Sequence, residues 1–312
     1  MLELSRTLLA VATALLAVAL LINVIVVATR HRKPALQGSR KPVAAGRGAS
    51  HPVSPLSPAD FDDDHLAGAG TVQVAPKRGV AWASDRAVEL ALLCITVGLI
   101  VRSVATGHAP FANQYEFACS FAWGITAAYV WFERKYQVRA LSLMVLPFAL
   151  AMLFYASTVG AEAVPLMPAL QNRWLLTTHV ITAVIAYGAA AVSAGAAVLY
   201  LARPHLKLRG LPSEELLDEI GYRAVVIAFP MLTIMIILGA VWADIAWGRY
   251  WSWDPKETAA LVTWLIYGAY LHARVVRDWR GNKAAWLLIL GFAAILFTYF
   301  GNLFFGGLHS YA

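Results

Sequence analysis

One pattern recurs eight times along this chain: an apolar stretch of 17 residues or more, bounded by short runs of charge. The stretches cover about 7–28, 87–105, 117–133, 139–157, 175–202, 221–243, 257–273 and 284–305. A bilayer core of ~30 Å is crossed by roughly 20 apolar residues in helix. Lipid offers no hydrogen-bond partner, so each stretch has to satisfy its own peptide groups and is expected to be α-helical. The expected fold class is therefore all-α, a polytopic membrane protein of about eight transmembrane helices.

Composition supports this reading. Of the 312 residues, 60% are hydrophobic and 14% are charged, against about 25% charged in an ordinary soluble domain. The net charge of +7 does not point to nucleic acid, because the basic residues lie in loops and form no basic face on a folded domain. Their distribution instead reads as topology. With the N-terminus outside, the cytoplasmic loops 29–86, 134–139, 203–223 and 274–283 hold 20 of the 25 Lys and Arg residues. The C-terminus then also lies outside. The first stretch is too long for a signal-peptide core and is read as an anchor.

Three parts follow. Residues 1–28 form an N-terminal transmembrane anchor. Residues 29–86, rich in Pro, Gly, Ala and Ser with an acidic run at Asp62, Asp63 and Asp64, form a flexible cytoplasmic linker. Residues 87–312 form a seven-helix membrane domain. No internal repeat is visible, which disfavours a transporter built from paired halves. Cys94 and Cys119 are not spaced as C-x-x-C and read as small packing residues.

The chemistry concentrates in an outer loop, 242–257, which ends WGRYWSWDPKE. It places Trp242, Trp247, Tyr250, Trp251 and Trp253 close together. Two readings are open. The rings belong to an interfacial aromatic belt, or they form a platform for a flat apolar ligand. Asp254, Pro255 and Glu257 have the spacing of a capping box that starts the seventh helix, so the two carboxylates need not touch a ligand.

Histidines carry the second signal. His179 lies inside an apolar helix near its outer end, and His309 follows the eighth span on the same side. Each alone reads as a hydrogen-bonded packing residue; together, flanking a flat platform, they suit the two axial positions of an iron macrocycle. His272 is at the opposite end of the seventh helix, on one face with Trp264 and Gly268. It is either an interfacial residue beside Arg274 or part of an inward cleft. In PFANQYE, residues 110–116, Asn113 fits a helix cap, with contact to a ligand or partner as the alternative.

At these residues the chain resembles the CcsA/ResC family of cytochrome c biogenesis proteins, the integral membrane half of a cytochrome c synthase. The matching pieces are WGRYWSWDPKETAALVTWLIYGAYLHAR at 247–274, WLLTTHV at 174–180, PFANQYE at 110–116 and GLHSYA at 307–312. The resemblance runs from about residue 87 to the end, and the linker lies outside it.

The resemblance implies haem b as bound ligand and substrate. His179 and His309 would ligate its iron at an outer site, and His272 would ligate iron at an inner one. Trp247, Tyr250, Trp251, Trp253 and Asp254 would form the tryptophan-rich haem-binding segment. Implied partners are a CcsB/ResB-type membrane protein and an apocytochrome c bearing C-x-x-C-H, within a plasma membrane and with the active face extracytoplasmic. The expected function is to transport or present haem for covalent attachment to apocytochrome c, as part of a haem lyase complex. Two alternatives remain: a haem-delivery protein without synthase activity, and a b-type electron-transfer cytochrome.

Overall fold

The computed structural model describes residues 1–29, 79–163, 166, 170–206, 211–301 and 304–309. It contains eight long helices: α1 (Leu2–Thr29), α2 (Val80–Thr106), α3 (Gln114–Tyr136), α4 (Ser142–Thr158), α5 (Arg173–Ala202), α6 (Glu214–Trp247), α7 (Pro255–Arg277) and α8 (Asn282–Phe300). A 3-10 turn, Arg139–Leu141, precedes α4. No strand occurs among the described residues. The protein is an all-α, multi-pass membrane protein.

Local chemistry sets the helix ends. Asn113 starts α3 by accepting the Glu116 N–H at 2.9 Å, Asn172 starts α5 and Ser213 starts α6; each side-chain oxygen satisfies an otherwise orphan amide. Gly107 and Gly248 close α2 and α6 in the left-handed conformation, which glycine adopts without steric cost. Pro147 and Pro230 lie inside α4 and α6, as membrane helices tolerate where neighbours satisfy the freed carbonyls.

Among the described residues, seven helical segments are long and apolar enough to cross a membrane; α3 is too polar to qualify by composition. Its position explains this. Thirteen of its residues are buried, including Glu116, Ser120 and Thr126, so α3, like the central α5, meets mostly protein. It packs against the central helix α5 at Gly124 and Gly188, where a Cβ on Gly188 would collide with the Gly124 carbonyl. Small residues allow this approach of two backbones, the usual basis of helix association in lipid. The Ala- and Gly-rich run Gly188–Ala197 of α5 is almost wholly buried and also meets α4, α6 and α8.

α2 starts at Val80, ahead of the expected start of the second span at 87, so residues 80–86 leave the expected linker. Tertiary partners extend the helix. The Ser84 hydroxyl donates to Asn23 Oδ1 on α1 at 2.9 Å, and Asp85 takes both guanidinium nitrogens of Arg139 at 2.5 and 2.6 Å. The rest of the expected linker, 30–78, lies outside the described residues. α1 is packed along α2, with the Ser5 hydroxyl donating to the Gly98 carbonyl at 2.8 Å.

Polar links gather the helix ends into two groups. At one end Arg139 holds Asp85, Arg134 holds Glu89, and Arg274 reaches Asp218 at 2.6 Å. At the other, Arg102 pairs with Glu116 at 2.7 Å and donates to the carbonyls of Ala161 and Glu162, while Arg173 donates to the Gly107 carbonyl. The segments after α6 and α8 lie at this second end, joined through Asp254.

Candidate functional site

α6 ends at Trp247 on the left-handed Gly248, and the chain crosses to Asp254, the N-cap of α7. The capping box is present: Asp254 accepts the Lys256 N–H at 2.9 Å, and Glu257 Oε2 accepts the Asp254 and Ser252 N–H groups. Two further bonds end on the same aspartate. Leu308 N–H donates to Oδ2 at 2.6 Å, and His309 Nδ1 lies 2.9 Å from Oδ1. Asp254 thus ties the segment beyond α8 to the head of α7. Gly307 is needed there, since any Cβ would run into Asp254 Oδ2.

Burial pushes the Asp254 carboxyl up, but its hydrogen bond to His309 and those from the Lys256 and Leu308 amides outweigh this and hold it at about 2. Burial also lowers His309 below the usual imidazole value, with the Asp254 hydrogen bond acting the other way. Both directions describe a neutral imidazole donating Nδ1–H to an ionised carboxylate. That bond fixes the tautomer, and any metal bond would be made through Nε2.

His179 comes from α5. Its Nδ1 lies 2.8 Å from the Met235 carbonyl oxygen of α6, which sets its tautomer the same way. The ring sits against Gly239, where a Cβ would stand 2.8 Å from His179 Cε1. The buried indole of Trp242 neighbours both imidazoles, its ring centroid 6.4 Å from that of His179 and 5.7 Å from that of His309. Trp247 meets both Trp242 (4.7 Å) and His309 (4.8 Å) edge-on.

These groups surround one cavity of about 1160 Å³, counting its open mouth, lined by His179, His309, Trp242, Tyr250 and Trp251. Phe117, Phe121, Tyr187 and Tyr299 line its remaining aromatic wall, and Asn113, Gln114, Lys256 and Glu257 supply polar atoms. Glu257 Oε1 is buried and has no partner among the described residues.

Of the residues singled out in the sequence, His179, His309, Tyr250 and Trp251 line this cavity, Trp247 touches it through His309, and Asp254 stands behind His309. Trp253 is set apart. It is 70% exposed, meets only the edge of Trp251 at 5.8 Å, and holds a left-handed φ of 59° unusual for such a side chain. His272 is exposed on α7, 17 residues from Pro255 and so roughly 25 Å along the helix from the cavity. Trp264 and Gly268 turn to α6 instead, Trp264 stacking on Phe229 and donating Nε1–H to Thr233 at 2.8 Å. The contact of Trp242 with both imidazoles, the space left by Gly239, and Lys256 in the cavity wall were not legible in the sequence. An acidic N-cap followed by a lysine was the one signal available for the last of these.

Residues 111–309 match the family described as cytochrome C assembly protein, a stretch that opens at the cap of α3 and closes on His309. The chain belongs to the cytochrome c assembly protein family. Curated relatives named cytochrome c biogenesis protein CcsA agree over most of its length. The protein of Guillardia theta is 38% identical over 251 residues, covering 70% of this chain and 83% of its own. That of Prochlorococcus marinus strain NATL2A is 37% identical over 275 residues, covering 74% and 87%. That of Gloeothece citriformis is 34% identical over 281 residues, covering 72% and 85%. The fold is similar to that of a solved structure titled cytochrome c heme lyase CcmF, with a TM-score of 0.60 at 21% identity. The match covers 96% of this chain and 46% of that one. Within the cytochrome c assembly family the matched stretch takes in every residue of the cavity and leaves out α1 and α2.

Proposed function

We propose that this chain is the membrane subunit of a cytochrome c synthase that holds haem b at its outer face and presents it to apocytochrome c. One observation carries the reading: imidazoles from two distant segments, each with Nδ1 committed to a fixed acceptor, neighbour the same indole and line one cavity. Two imidazoles provide an axial pair and no more. Among the described residues no group of three or more His, Cys, Asp or Glu side chains converges to cage a bare metal ion. The metal that suits such a site arrives already held in a planar macrocycle, and the aromatic lining suits the macrocycle's faces.

The chain's own contribution is positional. Asp254 and the Met235 carbonyl orient the two imidazoles, the aromatic wall keeps water from the iron, and the mouth leaves the haem edge open to a docking C-x-x-C-H segment. In the reaction each client cysteine thiol adds across one haem vinyl group, the sulfur bonding to the inner vinyl carbon and the thiol proton passing to the terminal carbon. The client's histidine then takes over one axial position. A fixed b-type cytochrome is less well supported, since His309 lies beyond the last helix and not deep in a facing helix pair. The excess of Lys and Arg at the opposite helix ends supports an extracytoplasmic cavity with both termini outside, and the plasma membrane is the location we assign. A CcsB/ResB-type protein is the partner we assign, and His272, exposed on the far end of α7, is available to complete an inner haem site with it.

The test is to purify His179→Ala and His309→Ala with the partner and record visible spectra and maturation of a reporter cytochrome c. Loss of the bis-imidazole spectrum and of maturation, with return of bound haem on adding imidazole, is expected. Wild-type spectra and maturation in both variants would refute the assignment.

A further inference from the structure

Lys256 lies in the wall of the cavity that holds both imidazoles. Its ammonium sits over the ring of Phe117, 5.6 Å from the centroid. Among the described residues it has no ion pair and no side-chain hydrogen bond, although two carboxylates are close in sequence. The oxygens of those carboxylates that make hydrogen bonds serve other groups, and Glu257 Oε1 makes none among the described residues. Asp254 takes the amides of Lys256 and Leu308 and the His309 ring, and Glu257 Oε2 takes Ser252 and Asp254. A cation in the wall of a largely aromatic cavity, over a ring face and near the Asp254 charge but in no ion pair, is poised for an anion that arrives with the ligand.

We infer that Lys256 is the anchor for a carboxylate of the bound macrocycle, and so the residue that sets which edge of it points inward. The inference rests on the haem-binding reading above and adds a charge requirement to it. A porphyrin carries its two carboxylates on one edge and its vinyl groups toward the other. Holding the acid edge at Lys256, on the first turn of α7, would point the vinyl edge away from Lys256 and so fix where two thiols have to reach it. The flat rings fix the plane of the ligand but cannot distinguish its edges; a single charge can.

The experiment compares iron protoporphyrin IX with its dimethyl ester, which keeps the iron and the vinyl groups but has no carboxylate. Each is titrated into the purified full-length protein and followed by its Soret absorption. Wild type is expected to favour the acid over the ester by roughly 10- to 100-fold, the strength of one charge-assisted hydrogen bond. Lys256→Met should remove that preference by weakening the acid alone, and Lys256→Arg should keep most of it. In Lys256→Met the bound species should retain the wild-type bis-imidazole spectrum, which also shows that the variant is folded. Equal affinity of wild type for acid and ester, or equal loss of both in Lys256→Met, would overturn the role of Lys256 and leave histidine ligation standing. Failure of wild type to bind either porphyrin with a histidine-dependent spectrum would overturn both.

Discussion

Asp254 Oδ1 and His309 Nδ1 are 2.9 Å apart, although the two residues are separated by 55 positions and by the whole of α7 and α8. Through this contact the segment after the last helix becomes part of a cavity built by α5, α6 and α7. The same carboxylate caps α7, so one side chain starts a helix and orients an imidazole.

Asp254→Asn should separate these two roles. Asparagine still caps a helix but carries no charge to hold the His309 tautomer. We expect the protein to fold and haem affinity to fall by roughly 10- to 100-fold, as for other residues that orient a metal-bound histidine. Soret titration with a thermal melt checks this; an unchanged affinity would show that His309 does not depend on Asp254.

The pH response of the haem-free protein follows from the same pair. His309 is held below the usual imidazole value, so the folded protein resists protonation that the opened segment accepts. Its contribution is complete above about 6.5 and declines as pH falls below that. Asp254, held at about 2, contributes fully above about 4 and loses that contribution only as pH falls toward 2. Tryptophan fluorescence should therefore change first below about pH 6.5 and again in strong acid. The first change should be weaker in His309→Ala, in which the cavity keeps only His179.

Gly239→Ala tests the space beside His179. Within a helix, alanine is favoured over glycine by about 1 kcal/mol, so intrinsic propensity predicts a more stable protein. The new Cβ would stand 2.8 Å from His179 Cε1 and 3.1 Å from Nδ1. We expect haem retention to fall as in His179→Ala while the melting temperature stays level or rises. Loss of both together would point to general damage to α6.

The Arg102–Glu116 pair is fully buried. Breaking such a pair costs about 3–5 kcal/mol because a charge is left without compensation. Arg102→Met should therefore destabilise the protein strongly. Arg102→Met with Glu116→Gln should recover part of the loss, since no ionised group is then stranded. Thermal unfolding in detergent measures both.

His272→Ala should leave the spectrum of the outer haem unchanged in the isolated chain, because the residue is exposed and lies roughly 25 Å along α7 from the cavity. A change in that spectrum would place His272 at the outer site.

Much of this architecture was legible in the residues. Eight apolar stretches separated by charge dictate membrane helices, because an unpaired peptide group in lipid is too costly for anything else. The caps at Asn113 and Asp254 could be read from sequence because capping acts over three residues. α2 starts earlier than apolarity alone indicates, because Ser84 and Asp85 find partners on α1 and beside α4. α3 is as polar as it is because protein surrounds it. What only the tertiary structure decided is which distant groups meet: His179 against Gly239, His309 against Asp254, Trp242 beside both imidazoles, and Lys256 over the ring of Phe117. Helical periodicity and capping are local, and a sequence records them directly. Convergence depends on how eight helices pack, which is set by close approaches such as Gly124 on Gly188 that no local pattern encodes.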